Sequence, residues 1–345
     1  MLKVALIGLG VMGKNHFRTL LNLHLKKVIK FTLICDIRDY NELGLDDSYD
    51  FVHHTKDYGF FISNAYNFDL VVVATNTTSH YQICKDLLNA KVNVLVEKPI
   101  CTSVKEAIEL KTLSIVNNVK LSVGHIERFN PCFYKIKELI PMIGDVTSFN
   151  FTRIGLARQS FDVGILLDLG IHDFDLVNIL FWYDFIYNTV VNRNEFGSDI
   201  ASLTSIQYKN GIMGGILNSY DTTYKLRNIS INGTTGNIQA DLVNSRVYLS
   251  TSQVKVEYML NKTDSLNDEI MHLINAINNN IDISEELNLS IDALSKVLTA
   301  IEGGNFVINN FINMNAVRNI IDSGGIINGW VCRLPTMEWR TKQGF

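Results

Sequence analysis

The first third of the chain alternates short apolar runs with segments of helical periodicity. In order, these segments are KVALIGLG, HFRTLLNLHL, FTLICDI, DLVVVAT, YQICKDLLNA and NVLVEKP. Strands that alternate with helices are typical of right-handed crossovers and a parallel sheet. The unbroken apolar runs VALI and VVVA favour strands that are buried on both faces. The pattern predicts an α/β domain with a doubly wound parallel sheet over residues 1–122.

The segment SVKEAIELKTLSIVNN predicts a further helix of this first domain. Ser103 is placed to cap the helix, and Glu106, three residues later, would complete a capping box. We therefore expect the helix to begin directly after Ser103.

Beyond about residue 145 the pattern changes to short alternating segments separated by Gly, Asn and Asp turns, which is typical of an antiparallel sheet. The segment LLDLGIHDFDLVNILFWY predicts one amphipathic helix. DEIMHLINAINN and SIDALSKVLTAIEGG predict two more, the last ending at Gly303 and Gly304. The sequence thus predicts an α+β domain over residues 123–305, with a large, mostly antiparallel sheet and helices on one face. Residues 306–345 show no clear period, and we treat them as a C-terminal tail without an assigned role.

Charge and cysteine usage narrow the functional classes. The chain has 31 Lys and Arg residues against 35 Asp and Glu, a net charge of −4 without the basic excess that nucleic-acid binding requires. The five cysteines never fall in a C-x-x-C spacing, which favours reduced thiols in a reducing compartment. The opening run MLKVALIGLG breaks at glycines and predicts neither a signal peptide nor a membrane span. We expect a cytoplasmic protein without a nucleic-acid or membrane partner.

Three glycines, Gly8, Gly10 and Gly13, stand between the first predicted strand and the first predicted helix. A phosphate-binding turn needs a tight turn at the first glycine, close approach of a pyrophosphate at the second and helix packing at the third. The amides at the helix start then face the anion. The alternative is a tight turn with a purely structural role. Because strand, glycines and helix occur together, we predict a dinucleotide site.

The second predicted strand ends at Asp36, 23 residues after Gly13. A carboxylate at this spacing accepts hydrogen bonds from the adenosine ribose hydroxyls and repels a 2′-phosphate, which favours NAD over NADP. Arg38 could instead stack on the adenine or tolerate the phosphate, so NADP stays an alternative. A role for Asp36 as an ordinary solvent-facing strand end also stays open.

Four motifs, GLGVMGKNH, ATNTTSHY, VLVEKPI and LLDLGIHDFDL, occur in an order and spacing by which the chain resembles the glucose-fructose oxidoreductase / inositol dehydrogenase (Gfo/Idh/MocA) family. The likeness covers about residues 1–305. It implies an N-terminal Rossmann domain, an NAD(P)-dependent dehydrogenase acting on CH–OH groups, and a homodimer or homotetramer. The cofactor contacts that it implies, together with those derived above, are Gly8, Gly10, Val11, Met12, Gly13, Asp36, Ile37, Arg38, Thr75, Asn76, His80, Glu97 and Lys98.

Lys98, Asp168 and His172 are the catalytic candidates. Pro99 holds Lys98 extended so that its ammonium can be aimed into a cleft, and Asp168 and His172 lie four apart on one face of a predicted helix. By the resemblance, His172 takes the hydroxyl proton as a hydride leaves carbon, and Lys98 stabilises the alkoxide-like oxygen. Asp168 holds the substrate or orients the imidazole. In isolation, Lys98 would be a solvated loop residue and D-x-x-x-H an ordinary surface pair.

The segment GHIERFNP, with Arg153 and the D-V-G-I-L-L-D run from Asp162, resembles the branch that includes UDP-N-acetylglucosamine 3-dehydrogenases. Arg128 or Arg153 could then meet a diphosphate or carboxylate of the substrate, with structural ion pairing as the equal alternative for each. Asp173 and Asp175 are expected in helix or domain packing. The stretch IGLARQSF departs from that branch, so the substrate pocket is expected to differ.

Three further histidine positions need an interpretation. His53 and His54 have no partner at ligand spacing, so no metal site is expected. His16, like His80, matches a family position near a helix start, and both are expected to pack and hydrogen-bond around the cofactor.

The leading prediction is an oxidoreductase that transfers a hydride from a sugar ring hydroxyl to the nicotinamide. A nucleotide sugar such as UDP-N-acetylglucosamine, oxidised at carbon 3, is the expected substrate. An inositol or free-sugar dehydrogenase, or a keto-sugar reductase, is the second prediction, and turnover on UDP-sugars against inositols separates them. The third is a dinucleotide-sensing regulator on the same fold, since a fold does not fix a function. A regulator would carry a damaged catalytic set, whereas Lys98, Asp168 and His172 are all present.

Overall fold

Two large β-sheets organise most of the part of the chain that the structure describes. The computed structural model describes residues 1–45, 51–155, 163–181, 185–193, 199–220, 223–303, 305–308, 326–327 and 330–331. The short strands Ile326–Ile327 and Trp330–Val331 pair with each other. Most of the predicted tail lies outside the described residues.

The first sheet is parallel throughout. Its strands are β1 (Leu2–Ile7), β2 (Ile29–Cys35), β3 (His53–Thr55), β4 (Leu70–Val73), β5 (Asn93–Glu97) and β6 (Leu121–Gly124). They are ordered β3-β2-β1-β4-β5-β6, so the winding reverses between β1 and β4. In such sheets ligands bind outside the carboxyl ends of the strands at the point of reversal. The predicted doubly wound parallel sheet is confirmed.

Helices connect these strands. They are α1 (Val11–Leu25), α2 (Tyr58–Ser63), α3 (Thr77–Asn89) and α4 (Val104–Val116), and α5 (Pro131–Leu139) follows the sheet. Helix α4 begins after Ser103 as predicted, but the capping box is wrong, because the Ser103 side chain makes no capping hydrogen bond. The Ala107 N–H instead bonds to the Ser103 carbonyl and starts the helix through the backbone alone.

The second sheet is mostly antiparallel, as predicted. Its strands are β7 (Val146–Ile154), β8 (Phe185–Arg193), β9 (Asp199–Tyr208), β10 (Met213–Ser219), β11 (Leu226–Gly233), β12 (Gly236–Asp241), β13 (Arg246–Thr251), β14 (Lys255–Met259) and β15 (Asn305–Ile308). The order is β14-β13-β12-β11-β7-β10-β9-β8-β15. Only the pairs β7–β10 and β8–β15 are parallel among these described strands.

The segment predicted as one amphipathic helix is not amphipathic. It begins with a π-helical turn, Leu166–Gly170, and continues as α6 (Ile171–Leu180). Almost every residue of α6 is buried, including His172 and Asp173. The reason is that α6 packs against α8 (Ser284–Gly303) on one side and reaches the large sheet through Asp173 on the other.

Helix α7 (Ser265–Asn278) lies with the first sheet although it follows the second in sequence. Its apolar residues Leu266, Ile270, Leu273 and Ile274 share one core with residues of β1, β2, β4 and α1. Our boundary after residue 122 also cuts β6, which stays paired with β5 as far as Gly124. Helix α7 thus returns from a later part of the sequence to close the first sheet, and the domain boundary at 122 stays a prediction.

Candidate active site

An open cleft lies at the carboxyl ends of β1, β2 and β4, where the winding of the first sheet reverses. The cleft encloses about 600 Å³. Among the residues that line it are Gly8, Gly10, Asp36, Ile37, Arg38, Thr75 and Asn76. Seven of the predicted cofactor residues therefore line the same cleft.

The glycine turn leaves room for a ligand against the backbone. Gly8 has a φ of +89°, a conformation that favours glycine, and a side chain at Gly13 would collide with the Gly8 carbonyl. At Gly10, by contrast, an added Cβ would meet nothing within 4 Å. The backbone at Gly10 thus faces open space at the start of α1, and its amides fit the pyrophosphate of a dinucleotide.

Asp36 and Arg38 form one ion pair at the far end of this cleft. Asp36 accepts the Leu9 N–H at 2.7 Å and two guanidinium donors of Arg38 at 2.8 Å each. Burial alone would raise the pKa of Asp36, but the hydrogen bonds from Arg38 and Leu9 lower it to about 2. The two residues predicted to discriminate NAD from NADP are therefore bonded to each other.

The other predicted cofactor residues do not line the cleft. Val11 is exposed and Gly13 buried, and Met12 is half-buried beside Asn15. His80 bridges two strand ends, with Nδ1 at 2.9 Å from the Pro99 carbonyl oxygen and Nε2 at 3.1 Å from that of Thr75.

Glu97 is held away from solvent. Its Oε1 lies 2.7 Å from His16 Nε2, and its other oxygen accepts the Lys98 N–H at 3.2 Å. His16 and Glu97 are both buried. His16 therefore makes its hydrogen bond to Glu97. Direct contact of Glu97 with a cofactor stays a prediction.

Lys98 and Asp168 meet across the boundary between the two sheets. Lys98 follows β5 before a cis peptide bond to Pro99, and its Nζ donates to the Asp168 carbonyl at 2.7 Å and to its carboxylate at 2.5 Å. The Tyr220 hydroxyl donates to the other carboxylate oxygen of Asp168. Asp168 therefore holds the Lys98 ammonium in place. Tyr220, at the end of a strand of the large sheet, holds Asp168 in turn.

His172 is a buried imidazole close to these charges. Its Nδ1 has no hydrogen-bond partner in the part of the chain that the structure describes. Burial, followed by the positive charges of Lys98 and Arg153, holds the pKa of His172 well below its usual value. The ring is therefore neutral at physiological pH, which is the form that can accept a proton.

The two arginines suggested as substrate contacts are instead fully engaged in buried ion pairs. Arg153 bonds to Asp173 at 2.9 Å and to Glu127 at 2.9 Å. Arg128 forks onto Asp175 at 2.8 and 2.5 Å. Buried guanidinium groups require such partners, so these ion pairs favour the structural alternative, and the substrate role of either arginine stays a prediction. Asp173 and Asp175 serve in packing, as expected.

Several site residues were missed in the sequence. Tyr220 lies directly after β10, Asn218 donates to Asp173 at 2.8 Å, and Arg227 shares Glu127 with Arg153. None of these lies in a motif of fixed spacing. Of the missed residues, only Glu127 lies in a segment that the sequence singled out, GHIERFNP. That segment gives no indication that Arg153 is the partner of Glu127.

The described residues contain neither a candidate metal site nor a candidate membrane span. No cluster of three or more His, Cys, Asp or Glu side chains there could hold a metal ion. None of the helices in those residues is both long enough and apolar enough to cross a membrane.

Comparison with known proteins identifies the family. Residues 2–125 match the family model described as an oxidoreductase family with an NAD-binding Rossmann fold, and residues 142–239 match the GFO/IDH/MocA C-terminal domain. The chain belongs to the Gfo/Idh/MocA family. This family member is thus an NAD(P)-dependent oxidoreductase of the sugar-dehydrogenase type, and the cleft described above is the site that fits the dinucleotide.

Individual relatives extend over most of the chain. A myo-inositol 2-dehydrogenase of Thermotoga maritima is 26% identical over 276 residues, 73% of this chain and 79% of the relative. The solved UDP-N-acetylglucosamine 3-dehydrogenase GnnA of Acidithiobacillus ferrooxidans has a TM-score of 0.78 at 19% identity, covering 88% of this chain and 97% of that one. KijD10, a 3-ketoreductase of Actinomadura kijaniata solved with TDP-benzene and NADP, has a TM-score of 0.80 at 17% identity, covering 89% and 99%. The two structural likenesses show a shared fold.

Proposed function

We propose that this oxidoreductase oxidises a ring hydroxyl of a nucleotide sugar, with carbon 3 of UDP-N-acetylglucosamine as the first candidate. The observation that carries the proposal is the assembly of Lys98, Asp168 and His172 beside the cofactor cleft. His80 ties that cluster to the cleft, since it bonds to Thr75 in the cleft wall and to Pro99 next to Lys98. The segment GHIERFNP and the fold shared with GnnA support the nucleotide-sugar assignment.

The chemistry follows from the positions of these side chains. NAD, when bound, supplies the acceptor for the hydride that leaves the substrate carbon. His172 takes the hydroxyl proton, because a neutral buried imidazole is a competent base. Lys98 donates to the oxygen as negative charge develops there, and a positioned cation in a dry site stabilises that charge. Asp168 and Tyr220 keep the ammonium aimed.

The first experiment measures NADH formation by absorbance. Purified protein is given NAD or NADP with a panel of UDP-sugars, free sugars and inositols. We expect turnover with UDP-N-acetylglucosamine. Turnover with inositols alone would contradict the nucleotide-sugar assignment and favour the second candidate, an inositol dehydrogenase, which the similarity to the Thermotoga maritima enzyme supports.

A variant tests the base. His172→Ala should bind NAD as the wild type does while losing at least ~10² in turnover, the usual contribution of a general base. His53→Ala, at an exposed histidine of β3, is the matched control and should keep full activity. Unchanged turnover of His172→Ala would remove His172 from the mechanism.

We also propose that the chain forms a homo-oligomer through the outer face of the large sheet. Neighbouring strands β7 and β11 present uncharged residues there, with Asn150 opposite Ser230 and Thr152 opposite Asn228. The apolar side chain of Leu203 on β9 is half exposed on the same face. This uncharged strip, which is bordered by the charged pair Arg246–Glu257 on strands β13 and β14, suits a second copy of the chain. Light scattering that gives only the monomer mass of 39.0 kDa would contradict this.

A further inference from the structure

The helix that carries Asp168 and His172 is widened at its start. In the π-helical turn Leu166–Gly170, the Ile171 N–H reaches back to the Leu166 carbonyl, five residues earlier. An α-helix would use the carbonyl four residues earlier. Single π-helical turns are rare and frequently lie at functional sites. Because local hydrogen bonding favours the α-helix, the turn depends on what packs against it.

Asp168 lies inside this turn and meets Lys98 with two of its oxygen atoms. Lys98 Nζ donates to the Asp168 carbonyl at 2.7 Å and to its carboxylate at 2.5 Å. One acceptor belongs to the backbone and the other to the side chain of the same residue. A rotation of the turn would move both acceptors at once, so the position of the ammonium depends on the shape of the turn.

Asn218 of β10 packs directly against the turn. It is fully buried, and its Oδ1 lies 2.9 Å from the place that a Cβ at residue 170 would occupy. Its Nδ2 donates to Asp173 Oδ2 at 2.8 Å, and its Oδ1 accepts from the Ser202 hydroxyl at 3.4 Å. One amide thus contacts the helical segment at two places, inside the turn and three residues after it.

The Asn218 amide is fixed in its orientation. Its NH2 group faces the Asp173 carboxylate, which Arg153 also holds at 2.9 Å, and a flipped amide would direct its oxygen toward that carboxylate. Tyr220, two residues farther along the chain, donates its hydroxyl to Asp168. The amide and the hydroxyl therefore hold the helical segment from the same end of β10.

Gly170 is needed for space rather than for its backbone conformation. Its φ of −60° and ψ of −36° are ordinary helical values that any residue adopts. Glycine inside a helix is less favourable than alanine. A methyl group here, however, would lie 2.9 Å from the Asn218 oxygen and 3.1 Å from the Leu166 side chain. A glycine that weakens the helix is thus matched to a fixed neighbour that leaves no room for a side chain.

We infer that Asn218 and Gly170 are positioning residues for the hydride transfer: the Asn218 amide, packed against the bare backbone of Gly170, sets the π-helical turn, and the turn presents Asp168 to Lys98. This inference rests on the role of Lys98 proposed above. Neither residue touches the substrate. Both act through Asp168, which places the ammonium where negative charge develops on the substrate oxygen.

Gly170→Ala tests the contact directly. The added methyl must displace either the turn or the Asn218 amide, and a misplacement of about 1 Å can cost ~10²-fold in rate. We expect kcat to fall by ~10²-fold with the substrate that the sugar panel identifies, while KM for NAD stays that of the wild type. Gly59→Ala, where an added Cβ would meet the exposed Asp57 side chain at 3.2 Å, is the matched control and should change neither quantity. Wild-type kcat in Gly170→Ala would overturn the inference.

Asn218→Ser removes the amide without adding bulk. The shorter side chain cannot reach Asp173, so the turn loses its support, and we expect kcat to fall by at least ~10-fold. This variant keeps the inference testable if Gly170→Ala fails to fold, and wild-type kcat in it would overturn the inference. In Gly170→Ala/Asn218→Ser the oxygen that opposed the methyl is gone, so kcat should be no lower than in Asn218→Ser alone. Losses that multiply in the double variant would also overturn the inference, because the two residues would then act independently.

A third combination separates positioning from general damage. If both residues act through Lys98, Gly170→Ala should not lower kcat further in a Lys98→Met background. A further loss of ~10²-fold there would show damage elsewhere and overturn the inference. Lys98→Met by itself tests the proposed function, since full turnover in that variant would remove Lys98 from the mechanism whatever Gly170→Ala does.

A structural measurement needs no substrate. Crystal structures of the NAD-loaded wild type and of NAD-loaded Gly170→Ala should differ at Lys98. In the wild type we expect Nζ within hydrogen-bond distance of both the carbonyl and the carboxylate of Asp168, and in the variant we expect at least one of these contacts to be lost. Both contacts intact in Gly170→Ala would overturn the inference.

Discussion

The two halves of the site differ in how their charges are held. Asp36 and Arg38 are two residues apart in sequence, and the Arg38 side chain is 39% exposed. Arg153 and its partner Asp173 come from different elements, and both side chains are only 3% exposed. The Asp36 side chain is only 7% exposed, so solvent reaches the Asp36–Arg38 pair from the Arg38 side alone. A guanidinium that reaches solvent can exchange partners with a ligand, whereas a pair buried on both sides must stay formed. The Asp36–Arg38 pair in the cofactor cleft can therefore rearrange when a ligand binds. The Arg153–Asp173 pair near His172 is a fixed part of the fold.

The largest expected effect comes from breaking the buried Arg153–Asp173 pair. Arg153→Met should destabilise the fold by about 3 kcal/mol or more, because Asp173 would be left buried without its cation, whereas Glu127 would keep only Arg227. Arg246→Met, at an exposed pair with Glu257 on the same sheet, should leave stability close to that of the wild type, because solvent screens the pair. Denaturant unfolding measures both. Similar losses in the two variants would show that burial does not distinguish the pairs.

A second test removes the Lys98 ammonium, which Asp168 holds in position. Lys98→Met should lower turnover by ~10²–10³, the usual cost of losing one group that stabilises developing charge. Its affinity for NAD, measured by fluorescence titration, should stay close to that of the wild type. Lys85→Met, which breaks a part-exposed pair with Glu109, should leave turnover unchanged. A large loss of NAD affinity in Lys98→Met would place this lysine in the cofactor half instead.

A substitution in the Asp36–Arg38 pair should change the preference between NAD and NADP rather than the stability of the fold. Asp36→Asn removes the charge that repels a 2′-phosphate and frees Arg38 to meet it, so the preference for NAD over NADP should fall by about tenfold, or ~1.4 kcal/mol. The ratio of KM values for the two cofactors measures this. An unchanged ratio would mean that the Asp36–Arg38 pair stays closed when the cofactor binds.

The smallest effect concerns Glu269 of α7, whose two carboxylate oxygens are buried without a partner among the described residues. Burial and then the nearby Glu97 raise the pKa of Glu269 well above its usual value. The folded chain thus keeps a proton that the unfolded chain releases, so stability is full below about pH 4.5 and falls as pH rises toward the raised pKa of the folded group.

Glu269→Gln has the same shape without the titration. The variant should be more stable than the wild type at pH 8, and the difference should shrink toward pH 5. Denaturant unfolding at the two pH values measures this. Equal pH dependence of wild type and variant would show that Glu269 is ionised in the folded protein.

Features that depend on neighbours in sequence were predictable. The parallel sheet followed from apolar runs alternating with helical periodicity, and the turn at Gly8 followed from glycines placed between a strand and a helix. Lys98, Asp168 and His172 were singled out by motif, and their roles stay predictions. In each case the signal is carried by a few consecutive residues, because backbone conformation and periodicity are local properties.

Partners distant in sequence were decided by the tertiary structure alone. The sequence by itself determined that Arg128 and Arg153 are cations in or near the motif segments, but only the fold brought Asp175 and Asp173 to them as ion-pair partners. The return of α7 to the first sheet and the contact of Asn218 with Gly170 are of the same kind. The sequence gives the type of each side chain. Which opposite charge neutralises a buried side chain depends on which surfaces pack together in the folded protein.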